Sequence, residues 1–502
     1  MAITKICGIE TEYGVVQRGV AESNPVTASS LLINAYVSGL AVPAAAGGPS
    51  VRWDFEDESP GRDARGAAPP DASPPDVETH LVNAVLTNGA RFYVDHAHPE
   101  LSTPECADAR SVVVFDRAAE VILERAMAAA DRVLPAGQEI VVYKNNSDGK
   151  GNSYGCHENY LMDRAVPFGR IVVAATTHFV TRQVFTGAGK VGTEAAGTSA
   201  AEVPYQLSQR ADFFEAEVGL ETTLKRPIVN TRDEPHADAQ RYRRLHVIAG
   251  DANLAEVATL LKVGTTAIVL AMVEDDAFDR SLAIRNPVQA VRAVSHDPSL
   301  RRTIEVGDGV TMTALEIQFE LLRQARKWAD ERGLESVGED VGGDVLRRWE
   351  EVLTGLEADP DRVAGQVDWV AKRRLIDGWR ARHDAEMGDP RVAAIALQYH
   401  DLRPERSLAR RAGLERITTD HEVQRAVTEP PVDTRAYFRG RCLAKFGESI
   451  VAANWDSLVF DIGREPLRRV PMMEPSRGTE AHVGRLLDEC STPAELVERL
   501  SS

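Results

Sequence analysis

Residues 8–14 read GIETEYG, and any fold of this chain has to accommodate what that stretch does when it is extended. Side chains alternate between the two faces of a strand, so Glu10 and Glu12 share one face, roughly 6.5–7 Å apart. Two carboxylates held side by side on a buried face repel each other unless a cation lies between them. Hard divalent ions such as magnesium take carboxylate oxygens. Taken alone, the pair is equally an exposed edge strand facing water.

A second stretch, NGARFYVDHAHPELSTPEC at 88–106, makes the solvated reading harder to sustain. Asn88-Gly89 marks a tight turn. Arg91, Tyr93 and Asp95 then alternate onto one strand face, with His96, His98 and Glu100 directly after. A third, KNNSDGKGNSYGCHENY at 144–160, opens from an apolar strand into a Gly/Asn-rich loop and presents His157, Glu158 and Asn159. Gly149, Gly151 and Gly155 let backbone N–H groups approach an anion there. A fourth, NTRDEPHADAQRYRRLHVIAGDANLAE at 230–256, carries Arg232, His236, Arg241, Arg243, Arg244 and His246 into an apolar strand. Arginine pairs bidentately with phosphate, so this run suits a polyphosphate. Next to it, His246 is a ligand candidate rather than an ordinary core histidine.

Two families of chemistry drop out. TGAGKVGTE at 186–194 resembles a phosphate loop, but Val191 follows Lys190 where a Walker A loop has Ser or Thr. It is expected to be a mobile loop, within a Gly/Ala/Ser/Thr-rich loop over 187–204. There is no GxSxG and no HExxH, so nothing supports a serine hydrolase or a zincin.

Periodicity predicts strands at 3–10, 91–95, 139–144, 245–249 and 457–461, and helices at 111–133, 166–185, 252–263 and 480–487. Thr313 and Glu316 form a capping box, and Leu346, Trp349, Leu353 and Leu356 stripe a further helix. The stretch 41–80, rich in Pro, Gly, Ala and Asp, is too poor in periodic apolar residues to pack as a core element. It is expected to be a flexible insertion, with Trp53 and Phe55 as the part able to dock. A boundary is expected at Pro430-Pro431, dividing a catalytic unit 1–429 from a small α/β unit 430–502.

Net charge is −18, a field that disfavours nonspecific nucleic-acid binding. Arg403, Arg406, Arg410 and Arg411 form a local basic cluster that acts within a Debye length of about 10 Å. No run of 18 apolar residues is present and no membrane association is expected. The opening residues do not read as a signal peptide. Five scattered cysteines suggest a reducing cytoplasm.

The four stretches, in this order, with PPVDTRAYFRG at 430–440 and NWDSLVFDIG at 454–463, resemble the Pup ligase/depupylase family across essentially the whole chain. The wording DHAHPE and the insertion at 41–80 resemble the branch that removes the ubiquitin-like protein Pup, rather than the ligase branch. The resemblance implies an α+β, glutamine-synthetase-like fold: a curved, mostly antiparallel sheet cradle backed by helices, plus the small C-terminal unit. It implies deamidation of the C-terminal glutamine of Pup and cleavage of Pup–lysine isopeptide bonds. ATP, or ADP plus phosphate, and Mg2+ are the implied cofactors, and Pup and pupylated proteins the partners. It also implies a monomer. The proteasomal ATPase is a candidate partner for the insertion. By motif, Glu10, Glu12, Tyr93, Glu100, His157 and His246 are implied metal ligands. Arg91, Thr103 and Trp455 are implied nucleotide contacts, with Arg232 and Arg244 added as phosphate contacts. Asp95 is the implied catalytic aspartate, as nucleophile or as general base. A Pup ligase and a silent nucleotide-binding regulator are the alternatives.

Overall fold

A computed structural model describes residues 1–40, 51–55, 58–59, 61–66, 82–223, 225–307 and 309–501. Strand β1, Cys7–Glu12, buries Cys7, Ile9 and Thr11 and turns Gly8, Glu10 and Glu12 to the other face. It starts later than periodicity suggests, because the backbone N–H groups of Ile3 and Lys5 are engaged elsewhere, by Glu274 and the Ser336 carbonyl. Its partners are β2 (Asn83–Val85), β3 (Arg91–Asp95), β4 (His98–Ser102), β5 (Cys156–Asp163) and β6 (Tyr242–Gly250). The sheet order is β6-β5-β1-β4-β3-β2, antiparallel at every step.

Residues directly opposite in an antiparallel pair project to the same face. The register therefore decides which side chains meet. Glu10 faces His157 on one side and Ser102 on the other; Glu12 faces Glu100; Tyr93 faces Glu100; His246 faces Asn159. The alternate set, among it Ile9, Phe92, Leu101, Tyr160, Leu245 and Val247, is buried on the back. Burial of each such side chain contributes about 2–3 kcal/mol.

Helices α1 (Pro25–Gly39), α2 (Ala109–Asp131) and α3 (Glu256–Glu274) lie against that apolar side. Helix α2 starts where the Asp108 carboxylate accepts from Ser111 N at 2.7 Å. Helix α3 starts four residues later than periodicity suggests. The Asp368 carboxylate, from another helix, accepts the backbone N–H groups of Leu254 and Ala255, at 3.2 and 3.1 Å, and so ends the preceding turn. At 19 residues α3 is long and apolar enough to span a membrane, yet it is wholly enclosed by the rest of the chain. Glu158 also belongs to the back. Its carboxylate takes two hydrogen bonds from Arg182, at 2.6 and 2.8 Å, and so stands away from its neighbours His157 and Asn159. The capping box at Thr313 and Glu316 forms as expected, opening the helix Ala314–Arg332.

A second apolar cluster is built from the C-terminal residues, and it recruits Val51, Trp53 and Val85. Residues Arg52–Trp53 pair in parallel with Ile450–Ala453. The part of 41–80 expected to dock does so: Trp53 finds an apolar partner in Trp455, 5.5 Å away between ring centroids, and joins the C-terminal sheet as a short strand. Residues 41–50, 56–57, 60 and 67–80 lie outside the described residues. The loop 187–204 is likewise held, not free. Lys190–Val191 pairs with Tyr205–Gln206, and Glu194 accepts from Ser147 Oγ at 2.6 Å and from Gly151 N at 2.7 Å.

Candidate active site

The open face of the sheet carries two adjoining groups of ligating side chains. Glu10, His157 and His246 each place one ligand atom within 4.8 Å of the other two, and the carboxylates of Glu12, Asp95 and Glu100 do the same. His157 joins them, with Nδ1 3.7 Å from Glu10 Oε1 and Nε2 3.8 Å from Glu12 Oε1. His246 Nδ1 lies 3.3 Å from Glu10 Oε1.

Asn159, two residues after His157 on the same strand face, organises this corner. Its Oδ1 accepts from Arg244 Nη1 at 2.5 Å and meets His246 Nδ1 at 2.9 Å. Arginine only donates, which identifies that Asn159 atom as the oxygen, and an oxygen acceptor requires the proton on His246 Nδ1. The Asn159 amide then donates to Glu10 Oε1 at 3.3 Å.

Crowding divides the titration of the acids. Burial raises the Glu100 carboxyl, and Asp95, Glu10 and Glu12 push it well above the ordinary range. Burial also raises Glu10, but the neighbouring His157, His246 and Arg244 more than offset it, and its carboxyl lies well below. Burial, then Arg244, lowers His246 and leaves its imidazole neutral, the form that ligates metal. For Asp95 burial acts upward, and the hydrogen bond and charge of His96 outweigh it, so the carboxyl lies below its usual value.

Tyr93 and Arg91 continue the face. Arg91 is sandwiched between the rings of Trp53 and Tyr93, 3.8 and 3.9 Å from their centroids. Beside Glu10 opens a cavity lined by Gly8, Thr103, Asn159, His236, Arg244 and Trp455. Thr103 Oγ1 accepts from Ile9 N at 3.1 Å. Arg232 lies on the loop after the strand Arg226–Asn230, and its Nε is a buried donor without a hydrogen-bond partner among the described residues.

Sequence reading therefore placed Glu10, Glu12, Tyr93, Asp95, Glu100, His157 and His246 in one neighbourhood, with Arg91, Thr103, Arg244 and Trp455 around it. It did not separate the members of the arginine run. Arg241 is on the surface with Glu474 at 2.6 Å, and Arg243 donates to the Val166 carbonyl at 2.8 Å. It missed Arg210 and Arg226, which meet at Ser153 and act electrostatically on Glu12. Both are isolated arginines in ordinary polar stretches, with no local signal. The basic cluster at 403–411 is largely spent internally. Arg403 pairs with Asp401 and Glu139, Arg410 with Glu124, and Arg411 donates to the Glu405 carbonyl.

The donor set fits a hard cation: crowded acidic oxygens, a phenol and two imidazoles. Glu100→Gln removes one crowded charge. Its thermal midpoint without metal is expected to rise or hold, while its affinity for Mg2+ falls by about 100-fold. Thermal shift against Mg2+ concentration reads both, since the stabilisation follows RT ln(1 + [L]/Kd).

Residues 5–459 match the family described as Pup-ligase protein. The chain belongs to that family. It is 52% identical to a Depupylase of Acidothermus cellulolyticus and 48% identical to a Pup deamidase/depupylase of Mycobacterium tuberculosis, each over 99% of both chains. A Pup–protein ligase of Kineococcus radiotolerans is 42% identical over 81% of this chain and 90% of its own. Among solved structures, the ligase PafA in complex with Pup superposes with a TM-score of 0.80 at 31% identity, covering 99% of this chain and 94% of that one. PafA in complex with ADP gives 0.73 at 36% identity over 81% and 89%. These family structures share the α+β architecture, with its antiparallel cradle and helical backing.

Proposed function

We propose that this chain hydrolyses amide bonds at the C-terminal side chain of Pup, deamidating its glutamine and releasing it from lysines of modified proteins. The observation that carries the reading is near-full-length identity of 48–52% to depupylases, against 42% over 81% of the chain for a ligase. The geometry supports it: Asp95 ends β3 with its side chain 39% exposed, in one group with Glu12 and Glu100 and next to the group of Glu10, His157 and His246.

A nucleotide fits the cavity, as the ADP complex of PafA suggests. Arg244, which lines the cavity, and Arg232, whose buried Nε has no hydrogen-bond partner among the described residues, would meet its phosphates, and Trp455 and Thr103 the remainder. Glu10, Glu12, Tyr93, Glu100, His157 and His246 would hold Mg2+. When bound, the ions would supply the positive charge that offsets the phosphates and polarises the reacting carbonyl. The chain's own residues do the rest. Asp95 is ionised and attacks the amide carbon directly, or takes the proton of the attacking water; both roles use the same oxygen. Amide hydrolysis is downhill, so the nucleotide acts as a resident cofactor. The free, buried cysteines support a reducing, cytoplasmic setting.

Incubating the protein with Mg2+, ATP and a Pup–lysine conjugate is expected to release free Pup with repeated turnover. Net conjugation of Pup to lysine, with ATP consumed in step, would identify a ligase instead.

A further inference from the structure

Strand pairing draws Arg210 and Arg226 together. Arg210 precedes the short helix Ala211–Phe213, and Arg226 opens the strand Arg226–Asn230, which runs parallel to Phe214–Gly219 with Arg226 opposite Phe214. Both guanidinium groups are fixed by neutral oxygens. Arg210 donates from Nε to Ser153 Oγ at 3.3 Å and from Nη1 to the Ile248 carbonyl. Arg226 donates from Nε to the Thr222 carbonyl at 2.8 Å and from Nη2 to the Ser153 carbonyl at 2.7 Å. Among the described residues neither forms an ion pair with a carboxylate, and each leaves one terminal nitrogen without a partner. Arg210 is 1% exposed. Burial, then the charge of Arg226, pushes its guanidinium down to about 10. Two neighbouring cations out of water without an anion are costly, and a ligand of opposite charge removes that cost.

Ser153, to which both are tied, leads into Tyr154 and Gly155. The Gly155 carbonyl accepts from Glu12 N at 3.0 Å, and Tyr154 stacks on His98, the residue opposite Asp95 across the hairpin. The pair therefore stands beside the group of Glu12, Asp95 and Glu100, and both guanidinium groups feel the charge of Glu12.

A chain-terminal residue whose side-chain amide is cut brings an anion to this place. Its free α-carboxylate lies four bonds, or about 5 Å, from the amide carbon. Three carboxylates repel such a charge unless cations receive it. The other arginines nearby are engaged: Arg91 is enclosed by Trp53 and Tyr93, and Arg244 lines the cavity and meets Asn159 and Glu234. We propose that Arg210 and Arg226 form a carboxylate subsite for the free α-carboxylate of the C-terminal residue of Pup. Guanidinium groups suit it, because they pair with carboxylates through two parallel N–H bonds. The subsite restricts cleavage to an amide on a chain-terminal side chain, so glutamines inside a chain are left alone. The assignment rests on the hydrolase reading above. The two arginines hold the substrate's carboxylate and take no proton from the reacting carbonyl; they determine specificity.

The test uses the full chain with Mg2+ and ATP on two forms of Pup ending in glutamine. One has a free α-carboxylate; in the other it is capped as the methylamide. Ammonia release reads both. The wild-type protein is expected to favour the free acid by about 100-fold or more in kcat/KM, because a site built for a charged group rejects the analogue that lacks it. Arg226→Gln is expected to lose about that factor on the free acid and less than about threefold on the capped form, so the preference disappears. Arg226→Lys keeps the charge and is expected to keep part of the preference. Affinity for a fluorescent ADP analogue is expected to be unchanged in both variants. Equal losses on the two substrates, or weaker nucleotide binding with the preference intact, would overturn the assignment and make the pair a structural support or a phosphate contact. Equal cleavage of both forms by the wild type would overturn it without any variant, and so without depending on whether a variant folds. A wild-type protein that releases ammonia from neither form overturns the hydrolase reading itself, and this proposal with it.

Discussion

Replacing Asp95 with asparagine is expected to lower amide cleavage by about a thousandfold or more while nucleotide binding survives. The carboxamide keeps the size of the side chain but can neither attack a carbonyl nor hold a proton taken from water. The change also removes one of the charges that crowd Glu100, so no loss of stability is expected. The cavity proposed for the nucleotide is lined by residues of β1, β4, β5 and β6, of the loops beside them and by Trp455, and Asp95 is not among them. Measuring Pup release alongside the fluorescence of a bound ADP analogue separates the two effects. A variant that loses both would place Asp95 in nucleotide binding, and one that keeps both would move the chemistry elsewhere.

The second large effect is one of stability. Glu105, in the loop after β4, accepts from Arg435 Nε at 2.7 Å and from both terminal nitrogens of Arg439. Those two arginines are 4% and 0% exposed, and Arg439 also donates to the Gly89 and Trp455 carbonyls at 2.9 and 3.1 Å. This contact pins the C-terminal cluster to the sheet, next to the cavity. Burial alone would raise the Glu105 carboxyl, but Arg439 and Arg435 bring it down from its ordinary 4.5 to about 2. The contribution is therefore complete above the unfolded value and is lost as pH falls from about 4.5 towards about 2. The gap corresponds to about 3 kcal/mol. Glu105→Gln is expected to lose an amount of that order at pH 7, because two guanidinium groups remain buried without their anion. Chemical denaturation should show the deficit at pH 7 and a much smaller one near pH 3. A pH-independent deficit would mean that shape, not charge, holds the junction.

Much of the site was legible because strand alternation is a local rule. GIETEYG and RFYVD state which residues share a face before any partner strand is known. Asn159 lay within reach of the same rule, two residues from His157. The alternation of RRLHV likewise separates Arg244 and His246 from Arg243, but only the pairing of β6 with β5 shows which of the two faces looks onto Glu10.

Sequence alone determined several of the elements, which residues of GIETEYG and RFYVD share a face, and the resemblance to the family. Only the tertiary structure decided that Trp53 stacks on Arg91 and joins the C-terminal sheet, that Glu105 meets arginines about 330 residues away, and that Arg210 and Arg226 stand near Glu12. The reason is physical. Backbone geometry repeats every two or 3.6 residues and leaves its mark in a short window. The pairing of charges distant along the chain follows from how whole layers pack, and no short window of sequence records that.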